Sequence, residues 1–398
     1  MTQATRGRLC MVTHSYFPAD PRVAREARRA HAAGYSVDVV ALRGPREPRR
    51  EQVDGVHVLR LPLQHRRGSG AAALFAEYAA FTVAATLVLL LRSFRKPYAV
   101  VHIHNPPDFL VLAALVPRLR GTRIILDVHD LSSDMFLMRF DREAAVKAAW
   151  ILVALERAAT AVADAVITVH EPYREELIKR GTKAGKVFVV MNSVDDALIP
   201  APARDREAGP EHFTVVYHGS LTPHYGVELL LDAADRLRHE MPIRIEIYGG
   251  GDAVPRLREE LQRRRLGDTV ALMKPLPQSE ILRRVQRASA GVVPNLPIRL
   301  NEFALSSKLF EYVALEIPVA CADLPTLRRH FDDDELYFFA AGSGEALAVA
   351  LRAIAEEPDR ARARARAART RYEQAYAWSE QGRRFVALLD RLAASRHR

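Results

Sequence analysis

Short, wholly apolar runs rich in β-branched residues recur along the chain, each followed by a stretch with helical periodicity. This rhythm constrains the fold more than any other feature. In the first half the runs are "RLCMVT", "SVDVVAL", "VHVLRL", "AVVHIH", "RIILDV", "AVITV" and "KVFVVM". In the second half they are "FTVVYHG", "IRIEIYGG", "TVALM", "AGVVP" and "IPVACAD". A strand that is apolar along its whole length must be covered on both faces, and intervening helices supply that cover, so the rhythm predicts parallel α/β sheets. At 398 residues the chain is too long for one ordinary core, and two domains are expected. The stretch "IPAPARDREAGPEH" (Ile199 to His212) has Pro, Ala and charge but no periodicity and is expected to link them. The predicted organisation is a first domain over 1–198, a linker at 199–212, a second domain over 213–375 and a C-terminal helix over 376–398. Two doubly wound sheets in tandem predict a central cleft, with ligands at the carboxyl ends of the strands.

A hydrophobic content of 49% with 27% charged residues excludes a disordered chain. The two cysteines, Cys10 and Cys321, lie in strand-like runs in different halves, which predicts reduced core residues in a cytoplasmic protein. The opening "MTQATRGRLCMVTH" has no apolar run of signal-peptide length. A net charge of +10, mostly arginine, suits nucleic acid, an anionic membrane or phosphorylated substrates, and composition does not choose among them. The run "RARARARAARTRYEQ" reads as a solvated helix face, since alanine and arginine are both strong helix formers. The stretch "WSEQGRRFVALLDRLAA" places Phe385, Leu388, Leu389 and Leu392 at helical spacing and should pack on something. One stretch, Ala71 to Leu91, is more apolar than the rest, but its uninterrupted part, Ala79 to Leu91, is 13 residues, against about 20 for a membrane span. It reads either as a buried helix or as one dipping into a membrane interface over 71–95, flanked by Arg66, Arg67, Arg92, Arg95 and Lys96.

The richest stretch is "LSSKLFEYVALEIPVACAD" (Leu305 to Asp323). Ser306 or Ser307 can cap a helix and leave its first N–H groups to an anion. Lys308 and Glu311 then lie at i and i+3 on one face, while Leu309, Phe310, Val313 and Ala314 form the face that packs on the sheet. A lysine beside a helix N-terminus suits a diphosphate, and a carboxylate one turn later can accept both hydroxyls of a ribose. A surface ion pair worth little is the plain alternative.

This stretch resembles the C-terminal signature of glycosyltransferase family 4, retaining nucleotide-sugar enzymes of the GT-B fold, in the branch frequent in exopolysaccharide and capsule assembly. Further matches follow in the family's order: "DPRVAREARRAHAAGYSVDVV", "VVHIHNPPDFLVLAAL", "IILDVHDLSSDMF", "ADAVITVHEPYREELIKRG", "VFVVMNSVD", "YHGSLTPHYGVELLLDAA" and "WSEQGRRFVALLDRL". The resemblance implies two Rossmann-like domains facing a central cleft, the first binding the acceptor and the second the donor, and a last helix crossing back to the first domain. It assigns Glu311 to the ribose and Lys308 to the leaving diphosphate. Transfer with retention leaves charge on that group as the anomeric bond breaks, so a cation there is required. His129, in "DVHD", falls where the family has a histidine near the donor sugar, though a strand-end histidine can simply cap a helix or bond a carbonyl. His102 and His104 alternate on a central strand and read as core or cleft-floor residues. Around the nucleotide are expected Ser307, His218 and Gly219 at the end of one strand, Gly249 in the glycine turn ending the next, and Lys274.

The departures are specific. Ser220 and Tyr225 stand where many family members have an arginine and a lysine, so Lys308 with Lys274 must substitute. The family's two glutamates stand eight positions apart, which pairs Glu311 with Phe303; Glu302, one residue earlier, either binds the donor sugar's hydroxyls, if the loop carries an extra residue, or is simply exposed. "ADP" (Ala19 to Pro21) replaces the usual glycine pair, and Asp134 stands where relatives often have glutamate. No metal cluster is visible, "FDDDEL" (Phe331 to Leu336) reads as a solvated turn, and neither cofactor nor metal is expected. The implied function is transfer of a hexose or N-acetylhexosamine from a UDP- or GDP-linked donor to a glycan, lipid-linked or small-molecule acceptor. The implied location is the cytoplasm, with peripheral contact at the inner face of the plasma membrane and no nucleic-acid partner. Rival readings are a nucleotide-sugar 2-epimerase of the same fold, a transferase without activity and a non-catalytic polyanion binder.

Overall fold

The computed structural model describes residues 6–65, 70–139, 143–200 and 212–395. The chain divides into two compact units, residues 1–192 with 381–398, and residues 193–380. Most of the predicted linker, at 201–211, lies outside the described residues, as do Arg66 and Arg67.

The first unit is built on an eight-stranded sheet of β1 (Gly7–Tyr16), β2 (Tyr35–Leu42), β3 (Arg50–Val53), β4 (Val56–Leu61), β5 (Val100–His104), β6 (Arg123–Val128), β7 (Ala165–Thr168) and β8 (Val187–Val189). Its order is β3-β4-β2-β1-β5-β6-β7-β8. Every pairing is parallel except that of β3 with β4. The apolar runs predicted the parallel strands because burial on both faces leaves no room for alternation. They did not predict β3, whose residues Arg50, Glu51 and Gln52 are exposed. That edge strand is signalled instead by Asp54-Gly55, both at positive φ (51° and 80°), as a two-residue hairpin turn requires.

The second unit holds a six-stranded parallel sheet of β9 (Phe213–Ser220), β10 (Ile243–Gly250), β11 (Val270–Met273), β12 (Ala290–Val293), β13 (Val319–Ala322) and β14 (Tyr337–Phe339), ordered β11-β10-β9-β12-β13-β14. In each sheet the order reverses direction beside its first strand, at β1/β5 and at β9/β12. Such switch points open a crevice at the carboxyl ends of the strands, and that is where the polar chemistry of both units gathers.

Cys10 and Cys321 are buried and free. The last helix (Trp378–Ala394) buries Phe385, Leu388, Leu389 and Leu392. From Gln381 onward it belongs to the first unit, where Asp390 meets Arg6 and the Tyr35 hydroxyl, each at 2.7 Å. The arginine-rich helix (Pro358–Arg371) buries Ala361, Ala365 and Ala368 and turns its arginines to acidic neighbours, such as Arg369 to Glu373 at 2.8 Å. This is the solvated face that the sequence suggested.

The apolar segment forms α2 (Ala71–Arg95), longer than its uninterrupted apolar run because small and polar residues extend it at both ends. By length and composition alone its 25 residues suffice to cross a membrane, and only 22% of its most apolar window is buried. The buried-helix reading therefore does not hold. Phe81, Ala85 and Leu89 face the protein, while Phe75, Val83, Leu87, Leu91 and Phe94 are exposed, Leu91 at 67%. The exposed stripe continues onto Leu112, Leu115 and Leu119, with the Phe109 ring 5.5 Å from that of Phe75.

Packing beneath the second sheet is tight at Gly291 on β12, where an added Cβ would lie 2.5 Å from the buried Tyr312 ring. Tyr312 cannot swing away freely, because its hydroxyl donates to the Val216 carbonyl at 3.2 Å. Gly291→Ala should therefore cost about 1–3 kcal/mol by overpacking, read as a lower denaturant midpoint with unchanged slope.

Candidate functional site

In the second unit, β9 ends in His218 and Gly219 at the switch point, and the helix Ser307–Ala314 presents its N-terminus there. Gly219 has φ +127°, and a Cβ on it would press on the Lys308 Cε at 3.2 Å. A Cβ on Gly249, at the end of β10, would lie 2.0 Å from the Gly219 carbonyl oxygen. These two paired strand residues thus pack so closely that Gly249 admits no side chain, and the absent Cβ of Gly219 leaves room for the Lys308 side chain.

Lys308 and Glu311 are both buried, which sets aside the plain alternative of a surface ion pair. Gln278 donates to Glu311 Oε1 at 2.9 Å, and His218 Nε2 lies 3.1 Å from Glu311 Oε2. Burial, reinforced by Lys308, pushes His218 down to about 3, so its imidazole is neutral and the contact is not an ion pair. Burial pushes Lys308 down to about 8, with Glu311 pulling the other way. The ammonium also lies 4.7 Å from the Tyr225 ring centre and 5.1 Å from that of Tyr217, so both rings offer it a π face. Ser306 is the N-cap, yet its side chain makes no capping bond; its hydroxyl accepts from Lys308 Nζ at 3.1 Å. Ser307 begins the helix and is exposed. The structure therefore brings together His218, Gly219, Gly249, Ser307, Lys308 and Glu311. Lys274 is exposed after β11, four residues before Gln278. Glu302 is exposed on a separate short helix (Arg299–Phe303), where its carbonyl accepts from the Thr326 hydroxyl at 2.5 Å. Sequence reasoning missed Gln278, for which no motif gives a signal.

The first unit gathers charge around Asp127, the last residue but one of β6 and wholly buried. Asp20 caps α1 (Pro21–Ala32) by accepting from the Arg22 and Val23 amides, which aims Arg22 inward. Arg22 donates to Asp127 from Nε at 3.1 Å and from Nη2 at 2.9 Å. His102 and His104 approach Asp127 Oδ2 at 3.4 Å each, and His129 at 3.5 Å. Burial alone would raise the Asp127 carboxyl, but Arg22, then His129, hold it well below the usual range. Burial also acts to lower His129, but Asp127 outweighs it, and the imidazole titrates above its ordinary value. His104 is driven well below that value by burial and by His102. His104 Nδ1 and His129 Nε2 lie 3.0 Å apart. The Asn105 side chain accepts from the His129 amide at 2.8 Å. His129 is thus neither a helix cap nor bonded to a carbonyl, but the partly exposed end of a buried relay. Sequence reasoning missed Arg22 and Asp127, although both lie in quoted stretches. A second buried network joins Arg180 to Asp134 and Glu156 at 3.1 Å each.

The sequence shows no metal cluster, but among the described residues the fold assembles two groups with ligand chemistry, Glu26-His102-His104-Asp127 and His14-His65-Glu77.

The family description "Glycosyl transferase 4-like domain" matches residues 19–193, and "Glycosyl transferase-like" matches 224–387. A putative colanic acid biosynthesis glycosyl transferase of Escherichia coli is 25% identical over 255 residues, 59% of this chain and 62% of the relative, so the chain spans under two thirds of that protein. Among solved structures, sucrose-phosphate synthase from Thermosynechococcus elongatus superposes with TM-score 0.78 at 19% identity, covering 98% of this chain and 99% of the other. Anabaena HepE, in complex with UDP-glucose, gives 0.70 at 14%, covering 96% and 99%. These likenesses show the GT-B class of fold, two parallel-sheet Rossmann-like domains.

Because the folded-state value of His129 is raised, its charge adds stability that is complete below about pH 6.5 and is lost as pH rises from there through the higher folded-state value. The gap in unfolding free energy between the native chain and His129→Gln should be widest near pH 6 and narrow toward pH 9. A gap that widens with pH would show the folded imidazole to be neutral.

Proposed function

Because the chain belongs to glycosyltransferase family 4, whose two domain descriptions it matches in order, we propose that it transfers a hexose or N-acetylhexosamine from a nucleoside-diphosphate sugar, with retention and without a catalytic metal. One observation carries this reading. A buried lysine and a buried carboxylate lie one helical turn apart at the switch point of the second sheet, beside the strand-end glycines Gly219 and Gly249. A nucleoside diphosphate offers an anionic complement to the lysine and ribose hydroxyls to the carboxylate.

In this reading Glu311 accepts hydroxyl bonds from the ribose, displacing Gln278 or sharing with it. Lys308, the first amides of its helix and the peptide of Gly219 hold the diphosphate. As the anomeric bond breaks, negative charge grows on the leaving phosphate, and the lysine, now facing an anion, regains its proton fully. Neutral His218 supports Glu311 without competing for the phosphate. Lys274 and Glu302 are proposed to reach the ligand only after their loops move, since both are exposed in the described structure. That HepE carries UDP-glucose supports a UDP-linked donor. The matched descriptions are of transferase domains, which favours transfer over epimerisation or polyanion binding.

The acceptor is proposed to be glycan or lipid-linked, and the protein to work in the cytoplasm at the inner membrane face. The support is the exposed stripe on α2, bordered by Arg92, Arg95 and Lys96, with the Arg120 guanidinium 4.5 Å from the Phe94 ring centre. Basic flanks around an apolar face suit anionic headgroups.

Two measurements test these points. Saturating nucleoside diphosphates should raise the melting temperature of the native chain. Glu311→Ala should lose most of that shift, since each hydrogen bond to a charged acceptor is worth about 1.5–3 kcal/mol. An undiminished shift in the variant would overturn the ribose assignment. Separately, the chain should sediment with vesicles containing anionic lipid, and Leu87→Asp with Leu91→Asp should abolish sedimentation while leaving the nucleotide shift intact. Equal sedimentation of both proteins would remove the membrane reading.

A further inference from the structure

Three residues distant in sequence converge at the carboxyl end of β1, apart from the Asp127 network and on a different unit from Lys308. His14 comes from β1, His65 from the loop after β4, and Glu77 from the first turns of α2. Glu77 Oε1 lies 3.0 Å from His14 Nε2 and 2.8 Å from His65 Nδ1. All three donor atoms lie within 4.8 Å of one another. We propose that His14, His65 and Glu77 form a binding site for a divalent transition cation of zinc type, with a fourth position left for solvent.

The geometry carries this beyond a chance cluster. The two imidazoles meet at 87° with centres 5.9 Å apart, so their nitrogens converge on Glu77 from two directions rather than stacking. His14 is held in that orientation by Tyr78 and Phe81, whose rings meet it edge-on at 4.7 and 5.1 Å. The loop bearing His65 is tied down by its own amide, which donates to the Tyr16 hydroxyl at 3.0 Å. The His14 Nε2 atom is shielded from solvent yet makes no aligned hydrogen bond. An unsatisfied buried nitrogen is costly, and a cation between it and the carboxylate would satisfy it. Ligand bonds of about 2.0–2.2 Å place tetrahedral neighbours somewhat over 3 Å apart, so only a slight outward shift of Glu77 is needed. Two imidazoles and one carboxylate favour zinc or its first-row neighbours over magnesium or calcium.

The other group with ligand chemistry already holds a cation. The Arg22 guanidinium lies 2.9 Å from Asp127 Oδ1 and 3.4 Å from Glu26 Oε1, so a metal there would face a fixed positive charge. A cation at His14-His65-Glu77 would pin the start of α2, the loop after β4 and the end of β1 together. The site would thus anchor the apolar helix to the sheet, a role separate from donor binding.

The test uses the full chain without an affinity tag, stripped with chelator and dialysed against Zn²⁺ or Co²⁺ alone. One equivalent per chain should remain bound, and Co²⁺ should give the intense visible bands of four-coordinate geometry. Glu77→Gln and His65→Ala should each weaken binding at least tenfold, while the thermal shift produced by nucleoside diphosphate stays as in the native chain. That shift certifies folding of the variants and separates this site from the donor site. Absence of a stoichiometric cation in the native chain, or retention of it by both variants, overturns the proposal.

Discussion

Covering both faces of a parallel sheet removes them from water, so charge can gather only where the strands end. Both units obey this constraint, and both place their polar chemistry beside the strand at which sheet order reverses. The outcomes differ electrostatically. In the first unit an arginine and an aspartate neutralise one another in the interior, and three imidazoles share the carboxylate. In the second, a buried lysine and a buried glutamate lie one turn apart, the lysine against the Ser306 hydroxyl and two aromatic rings, the glutamate against an amide and a neutral imidazole.

The alternation of apolar runs with helical stretches made the two parallel sheets legible, because burial on both faces leaves its mark on every residue of a strand. Edge strand β3 lacked that mark, and only Asp54-Gly55 signalled it. The Lys308–Glu311 face was legible for a local reason, since three residues on a helix make one turn. Gln278, Arg22 and Asp127 were not, because their partners come from distant segments. Arg22 and Asp127 are 105 positions apart. The clustering of His14, His65 and Glu77 escaped notice for the same reason. Glu302 shows a limit of motif spacing: a position near the expected one does not place a side chain, and here it is exposed on its own short helix.

Helix α2 shows why hydropathy underdetermines burial. Its composition suits a core helix, a membrane span and an interfacial helix alike. Only three-dimensional packing separates its sides, with Phe81, Ala85 and Leu89 inward and Leu87 and Leu91 outward. A surface of this kind is costly in water unless something covers it, and the arginines at its end limit which coverings are favourable.

The depressed affinity of the Lys308 amine for its proton has a consequence for turnover. At about 8, an empty site keeps most of that charge at neutral pH and gives it up in alkaline solvent, whereas a site filled by a dianionic carrier would keep it there too. In the proposed reading, loading above that pH would also be a protonation event and emptying a deprotonation. Alkaline surroundings would draw the proton away and loosen the hold on the spent carrier, so carrier supply and local acidity would act on one and the same nitrogen.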